Sequence, residues 1–468
     1  MAGDSPQRQA RLSPRAAVWL AMSLVGLVSF AAAAAGLDVR ASYGARVTGD
    51  EPYYLITGIS LAEEGDLDVS DEIAERSYLP FHEIPLDEQT RPLDGARRVS
   101  PHDPMLPLLL APAVALGGWV GAKLLLAALA GALCALMVWI AVRRFQVGAG
   151  AAALAAVVFG ASAPLAVYGS QVYPEVPAAL CMAAGVAALT GRLRSGGLMG
   201  LAVSVTALPW LSIKYSPVAA TLVVIGLVVL VRAGRMSAAA ALSGGLAVMG
   251  IIFIAAHLQL YGGVTPYAVG DHFTTGEFGV VGSSPDYAGR SRRLIGLLVD
   301  RDFGLAAWQP AWLLVVPAVF SLARTRPPGW LGLALPLGMG WLNATFVALT
   351  MQGWWWPGRQ IVVVLPCAVI GIAWWAVRSR ARLVVLAVSG GAGIASLAWL
   401  IVEGLDRRLT WVVDFFTTSN PLYRVWRLVL PDYLDVTSTT WLLHGLWIVL
   451  LALLAVWTWR SSPAATRR

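Results

Sequence analysis

PMLPLLLAPAVALGGWVGAKLLLAALAGALCALMVWIAVRR, residues 104–144, is apolar almost throughout and ends on the pair Arg143-Arg144. A helix needs about 20 residues to cross roughly 30 Å of hydrocarbon, so the stretch holds either one crossing or two. Its first part, 105–117, lies between Pro104 and Gly117 and is broken by Pro107 and Pro112. Too short and too kinked to span, it reads as a re-entrant or interfacial piece, whereas 119–142 is a full crossing. Every later loop depends on this choice, because counting 105–117 as a crossing puts Arg143 and Arg144 outside and inverts all that follows.

Outward from that stretch, apolar runs of crossing length lie at 16–36, 148–168, 174–191, 196–213, 216–231, 237–260, 304–322, 330–350, 360–377, 383–402 and 441–459. With 119–142 they make about twelve spans, with both termini cytoplasmic. Lys and Arg are retained on the cytoplasmic side of short loops, which tests the count independently. The inner segments carry 17 cations and one acid, Asp4, and the remainder of the chain 17 cations and 26 acids, consistent with the formal net charge of +7. The predicted organisation is a cytoplasmic N-terminus (1–15), a transmembrane module (16–402) with long outer loops at 37–103 and 261–303, an outer loop at 403–440, a last span at 441–459 and a cytoplasmic tail (460–468). The basic start and Ala-rich end of the first 36 residues also fit a secretory signal, but the length of the run favours a signal anchor.

Composition agrees with this all-α, polytopic reading. Of 468 residues, 57% are hydrophobic and 13% charged, with mean hydropathy +0.68, against about 25% charged in soluble domains. A soluble enzyme, a disordered chain and a coiled coil are excluded, and nucleic acid is not an expected partner. Cys134, Cys181 and Cys367 are far apart inside apolar runs, in neither a metal nor a disulfide pattern.

Inner loops are a few residues long, so chemistry belongs on the outer side, where long loops in a compact protein are usually functional. The first opens Thr48-Gly49-Asp50-Glu51-Pro52-Tyr53-Tyr54. Pro at the first helical position and acid at a helix start predict a surface helix over 52–64. Asp50 or Glu51 either caps that helix or belongs to a site. Four more polar clusters are expected at the same level: Tyr173-Pro174-Glu175, the 208–217 stretch with Lys214 and Tyr215, Asp300-Arg301-Asp302-Phe303-Gly304, and 352–360 with Trp354, Trp356 and Arg359. Each has a plain alternative. Lys214 snorkels, Glu175 caps, Asp300 to Asp302 self-pair, and the tryptophans form an interfacial belt. Arg359 is harder to explain away, since an outer guanidinium gains nothing from sidedness and suits a phosphate at headgroup depth.

His82, His102, His257, His272 and His444 show no metal-binding spacing. His102-Asp103-Pro104 stands out because it lies where the first loop re-enters the membrane, whereas His257 reads as a packed core polar residue. The sequence makes no cofactor certain. A divalent cation such as Mg2+ or Mn2+ on Asp50, Glu51 or Asp103 would suit hard carboxylate ligands, though the spacing does not demand it. Asp302-Phe303-Gly304 copies a kinase triplet without the accompanying loops and is coincidental.

The acidic pair Asp50-Glu51 early in the first outer loop, the surface helix after it and the re-entry at His102-Asp103-Pro104-Met105-Leu106-Pro107 resemble the GT-C superfamily of membrane glycosyltransferases. Over most of 37–360, Tyr173-Pro174-Glu175, Leu208 to Tyr215 and Asp300 to Gly304 are also similar to segments of bacterial members. The resemblance implies an inverting transfer of a sugar from a polyprenyl-phosphate donor to an envelope glycan, lipid or protein at the periplasmic face of the bacterial plasma membrane. It makes Asp50 the general base with Glu51 its neighbour. Arg359, with Lys214 or Arg301, would hold the phosphate, and Tyr173, Trp354 and Trp356 would stack on the sugar. His102, Asp103, Glu175, Tyr215 and Asp300 complete the expected binding set, and grooves rich in small residues such as Gly196 and Gly200 would take the prenyl tail and membrane lipids. The alternatives are a lipid or solute transporter, which would need midplane charges or repeated halves, and a catalytically silent envelope scaffold.

Overall fold

A computed structural model of the chain describes residues 13–93, 95–271 and 285–465. The expected inner position of residues 1–12 and 466–468, and His272, lie outside the described residues. Thirteen helices build the bundle: α1 (Pro14–Ala35), α2 (Glu51–Glu63), α3 (Met105–Phe145), α4 (Ala149–Gly160), α5 (Glu175–Leu189), α6 (Ser195–Leu211), α7 (Ser216–Arg232), α8 (Met236–Tyr261), α9 (Val315–Thr325), α10 (Leu331–Leu342), α11 (Leu365–Ala376), α12 (Arg380–Leu405) and α13 (Ser438–Ser461). Short 3-10 turns precede α7, α9 and α11, and a π turn follows α10. Among the described residues, pairing between extended segments is confined to isolated bridges.

Seven helices are long and apolar enough to cross a membrane, and five shorter apolar helices lie between them. One falls under each of the twelve sequence runs, and the chain is a polytopic helical membrane protein. Burial separates their roles, since a helix apolar on all sides must be covered by protein or by lipid. In Arg359–Ala376 94% of the apolar window is buried inside the bundle, against 22% in α1 and 17% in Met236–Val269. The 359–376 segment is thus central, and the other two present broad apolar faces outward.

The decisive 104–144 stretch folds as one long helix interrupted at Gly117 and Gly118, where φ/ψ leave the helical region. Gly118 has φ 57° and ψ −149°, a conformation essentially confined to glycine. After it the chain doubles back so tightly that a Cβ on Gly121 would come within 2.2 Å of the Ala113 carbonyl oxygen. Residues 105–116 therefore form a separate arm packed on α2, with Leu116 at its tip 91% exposed.

Backbone hydrogen bonds gather the long connections at one end of the bundle. Trp411 and Val412 donate to the carbonyls of Arg40 and Ala41, Asp271 to Gln89, and Arg301 to Pro431. Elsewhere, arginines seal helix ends against tryptophans: Arg144 over Trp139, Arg324 over Trp459 and Arg382 over Trp375.

Gly118→Ala should lower stability by about 1–3 kcal/mol, the cost of holding a side-chain-bearing residue in that region. Gly117→Ala, at φ −151° with open space around the added methyl, should cost less. Thermal unfolding of the two variants in detergent checks the difference, and equal losses would contradict the hinge.

Candidate active site

The site begins with two glycine turns. Gly49, at φ 63°, packs so closely that a Cβ there would stand 3.0 Å from the Tyr173 hydroxyl and 3.3 Å from the Trp354 carbonyl oxygen. Gly358, at φ 86°, leaves even less room against Leu305. Each glycine delivers the next residue, Asp50 and Arg359, to a common cavity of about 400 Å³.

Asp50 occupies the cap position of α2 but makes no side-chain cap. Its Oδ2 instead accepts a 2.5 Å hydrogen bond from Arg359 Nη2. Arg359 Nε donates to Glu175 Oε1 at 3.2 Å, and the same oxygen accepts from Lys214 Nζ at 2.7 Å. A chain of alternating charge, Asp50–Arg359–Glu175–Lys214, thus forms one side of the site, with Glu175 buried behind the three members that line the cavity. Tyr173 lies 4.1 Å and Trp355 5.1 Å, centroid to guanidinium carbon, from Arg359, so the cation is held by rings as well as carboxylates. Burial alone would raise the Asp50 pKa, but Arg359, with His102 and Lys214 behind it, holds the carboxyl well below the usual carboxylate range.

Several elements keep these groups in place. Glu51 turns away from the cavity into the protein, where its two oxygens accept from the backbone N–H of Val172 (2.7 Å) and Thr48 (3.5 Å). It fastens the start of α2 to the segment bearing Tyr173 and Glu175. Burial pushes its pKa up to about 7 despite Lys123 and these hydrogen bonds. Asp103, at the foot of the re-entrant arm, accepts from Ile213 N at 3.0 Å and faces His257 Nε2 at 3.3 Å. Asn343 Nδ2 donates to the Lys214 carbonyl at 3.1 Å. The turn carrying Lys214 is therefore held from two sides. His102 lines the cavity and stacks on Tyr54 at 4.7 Å.

Four of the five polar clusters thus meet here; the fifth does not. Asp300 is buried in its own turn, accepting from the backbone N–H of Asp302, Phe303 and Tyr433, and burial pushes its pKa up to about 7. Arg301 pairs with Asp432 at 2.9 Å rather than with its sequence neighbours. Trp354 is 63% exposed, Trp356 packs in the core beside Trp308 and Phe415, and the cavity-lining member of the run is Trp355. Tyr215 is buried beneath Lys214, whose ammonium lies 5.1 Å over its ring. Gln89, Tyr54, Tyr267 and Asn343, which also line the cavity, were not singled out by sequence. Only Asn343 carries a signal, as a lone amide near the end of an apolar crossing.

Asp50 faces Arg359, Glu51 the backbone N–H groups of Val172 and Thr48, and Asp103 His257 and Ile213. Among the described residues no three His, Cys, Asp or Glu side chains are grouped to hold a metal ion.

No family model matches the chain. No curated protein matches it. Among solved structures it is similar to ArnT from Cupriavidus metallidurans, whose crystal structure has undecaprenyl phosphate bound, with 16% identity, a TM-score of 0.54 and coverage of 94% of this chain and 71% of that one. At that identity the likeness establishes a shared fold, which agrees with the polytopic helical bundle expected from the sequence.

Glu51 and Asp300 both bind protons more tightly when folded than at the ordinary values of 4.5 and 3.8. Between those values and about 7 the folded chain holds more protons than the unfolded one, so stability falls as pH rises through that window. Melting of the protein in detergent should shift downward from pH 5 to pH 7, and less so in Asp300→Asn. A melting temperature that rises over that range would contradict the assignment.

Proposed function

We propose that the protein is a membrane glycosyltransferase that moves a sugar from a polyprenyl-phosphate donor to an acceptor hydroxyl at the extracytoplasmic face of a bacterial plasma membrane. The observation that carries the reading is that Asp50 and Arg359, 309 residues apart in sequence, meet in one cavity. The shared fold with a protein solved with undecaprenyl phosphate supports the donor class. The face follows from the distribution of arginines.

In the proposed reaction Asp50 takes the proton of the acceptor hydroxyl as its oxygen attacks the anomeric carbon. The bond from that carbon to the phosphate oxygen breaks, and its electron pair leaves with the phosphate. Arg359 and Lys214 stabilise the charge that builds up there, and attack opposite the phosphate inverts the anomeric centre. At about 400 Å³ the cavity falls within the roughly 300–1,000 Å³ range of small-molecule sites. Beside it, an apolar groove of about 740 Å³ between α6, α7 and α8 is lined by Trp210, Ile213 and Ser216. Ile213 and Ser216 bracket Lys214 and its neighbour Tyr215, so the groove offers a prenyl chain a path from the phosphate into the bilayer.

Purified protein given a polyprenyl-phosphate sugar and candidate acceptors should release polyprenyl phosphate. Asp50→Asn should reduce turnover by about 10²-fold or more, the scale of a lost general base, with folding unchanged by gel filtration. Arg359→Ala should raise the donor concentration for half-maximal rate by about tenfold or more, as expected for a lost charge-assisted hydrogen bond. Full activity in Asp50→Asn would remove Asp50 from the reaction, and unchanged donor dependence in Arg359→Ala would place the phosphate elsewhere.

A further inference from the structure

The charge chain at the cavity has one replaceable member. Glu175 is fully buried and its Oε1 bridges both cations, accepting from Lys214 Nζ at 2.7 Å and Arg359 Nε at 3.2 Å. Removing it would leave the buried Arg359 and the half-buried Lys214 short of counter-charge, at the cost of several kcal/mol that attends breaking a buried pair. Asp50 differs on both counts. Its side chain is 28% exposed, against 0% for Glu175, and it pairs with Arg359, whereas Glu175 pairs with both Arg359 and Lys214. A phosphate entering the cavity brings oxygens that accept from a guanidinium in the same geometry as a carboxylate, with comparable or greater charge.

We propose that the donor phosphate takes the place of Asp50 on Arg359 while Glu175 keeps the guanidinium and Lys214 in position, so that Asp50 is freed to act as a base only once donor is seated. The proposal rests on the glycosyltransferase reading for the identity of the phosphate, and it deepens that reading by ordering the two events. Asp50 pairs with Arg359, and the charges of His102 and Lys214 also act on it. A carboxylate paired with a guanidinium is a poor proton acceptor, and general-base catalysis works best when the base is matched to the operating pH. Exchange of partners resolves this. Phosphate leaves Asp50 without its strongest counter-charge in a largely enclosed site, where desolvation favours the protonated carboxyl. Unmasking would also confine proton abstraction to complexes that already contain the leaving group.

Difference infrared spectroscopy of the full chain in detergent tests this without relying on turnover. A protonated-carboxyl band assigned to Asp50 by its loss in Asp50→Asn should be absent at pH 5 in the ligand-free protein. It should appear when undecaprenyl phosphate is added, since loss of the guanidinium partner lets burial carry the carboxyl pKa up toward the measuring pH. Undecaprenol, which lacks the phosphate, should leave it absent. Arg359→Gln should show the band without lipid. No band with undecaprenyl phosphate, an equal band with undecaprenol, or a new band that disappears in Glu175→Gln instead of Asp50→Asn would overturn the proposal. Turnover of a prenyl-phosphate sugar without the spectral response would refute the exchange alone. A spectral response in a protein that transfers no sugar would refute the transferase reading alone.

Discussion

A guanidinium placed where water is scarce must have its charge answered locally, because an isolated buried charge costs more than a fold can supply. Arg359 is only 8% exposed, and the surrounding architecture supplies what it needs. The N-terminus of α5 brings Glu175, the start of α2 brings Asp50, and Tyr173 and Trp355 cover the flat faces of the cation. These residues come from three separate parts of the chain. Residue 359 itself opens the most deeply buried crossing, so the site is anchored to the core of the bundle rather than to a loose loop.

Support for this arrangement comes from groups that never reach the cavity. Adjacent residues at a helix start project in different directions, and Asp50 and Glu51 divide accordingly, one toward Arg359 and the other into backbone N–H groups of the 172 segment. Asp103 and His257, deep and mutually paired, tie the re-entrant arm and α8 to the turn that carries Lys214. The break at Gly117 and Gly118 folds the 105–116 arm back against α2, beside this scaffold.

Much of the topology was legible in the sequence because membrane spans leave strong signals. The apolar runs, the arginines of the short connections and the Pro- and Gly-bounded 105–117 segment each reflect a cost that lipid imposes on the chain directly. The site was legible in part for the same reason: charged and polar residues at the ends of spans are few, so Asp50, Glu175, Lys214 and Arg359 stand out. Side-chain direction was not legible. Which of Trp354, Trp355 and Trp356 meets the cavity depends on the turn at Gly353–Gly358, and nothing in three identical letters distinguishes them. Asp300 to Asp302 looked equivalent to the other clusters, yet its partners are backbone groups and Tyr423, Arg427 and Asp432 from a distant loop. Gln89 and Tyr267 gave no signal because they come from loops where polarity is ordinary.

The proposed reaction depends on Arg359 anchoring the donor phosphate beside Asp50. An electron cryomicroscopy structure of the protein with undecaprenyl phosphate tests it most directly. Phosphate oxygens should lie within hydrogen-bonding distance of Arg359, about 2.7–3.2 Å, inside the cavity shared with Asp50 and with the prenyl chain leaving toward the bilayer. A headgroup resolved at another part of the surface, with the Asp50–Arg359 pair intact, would contradict it.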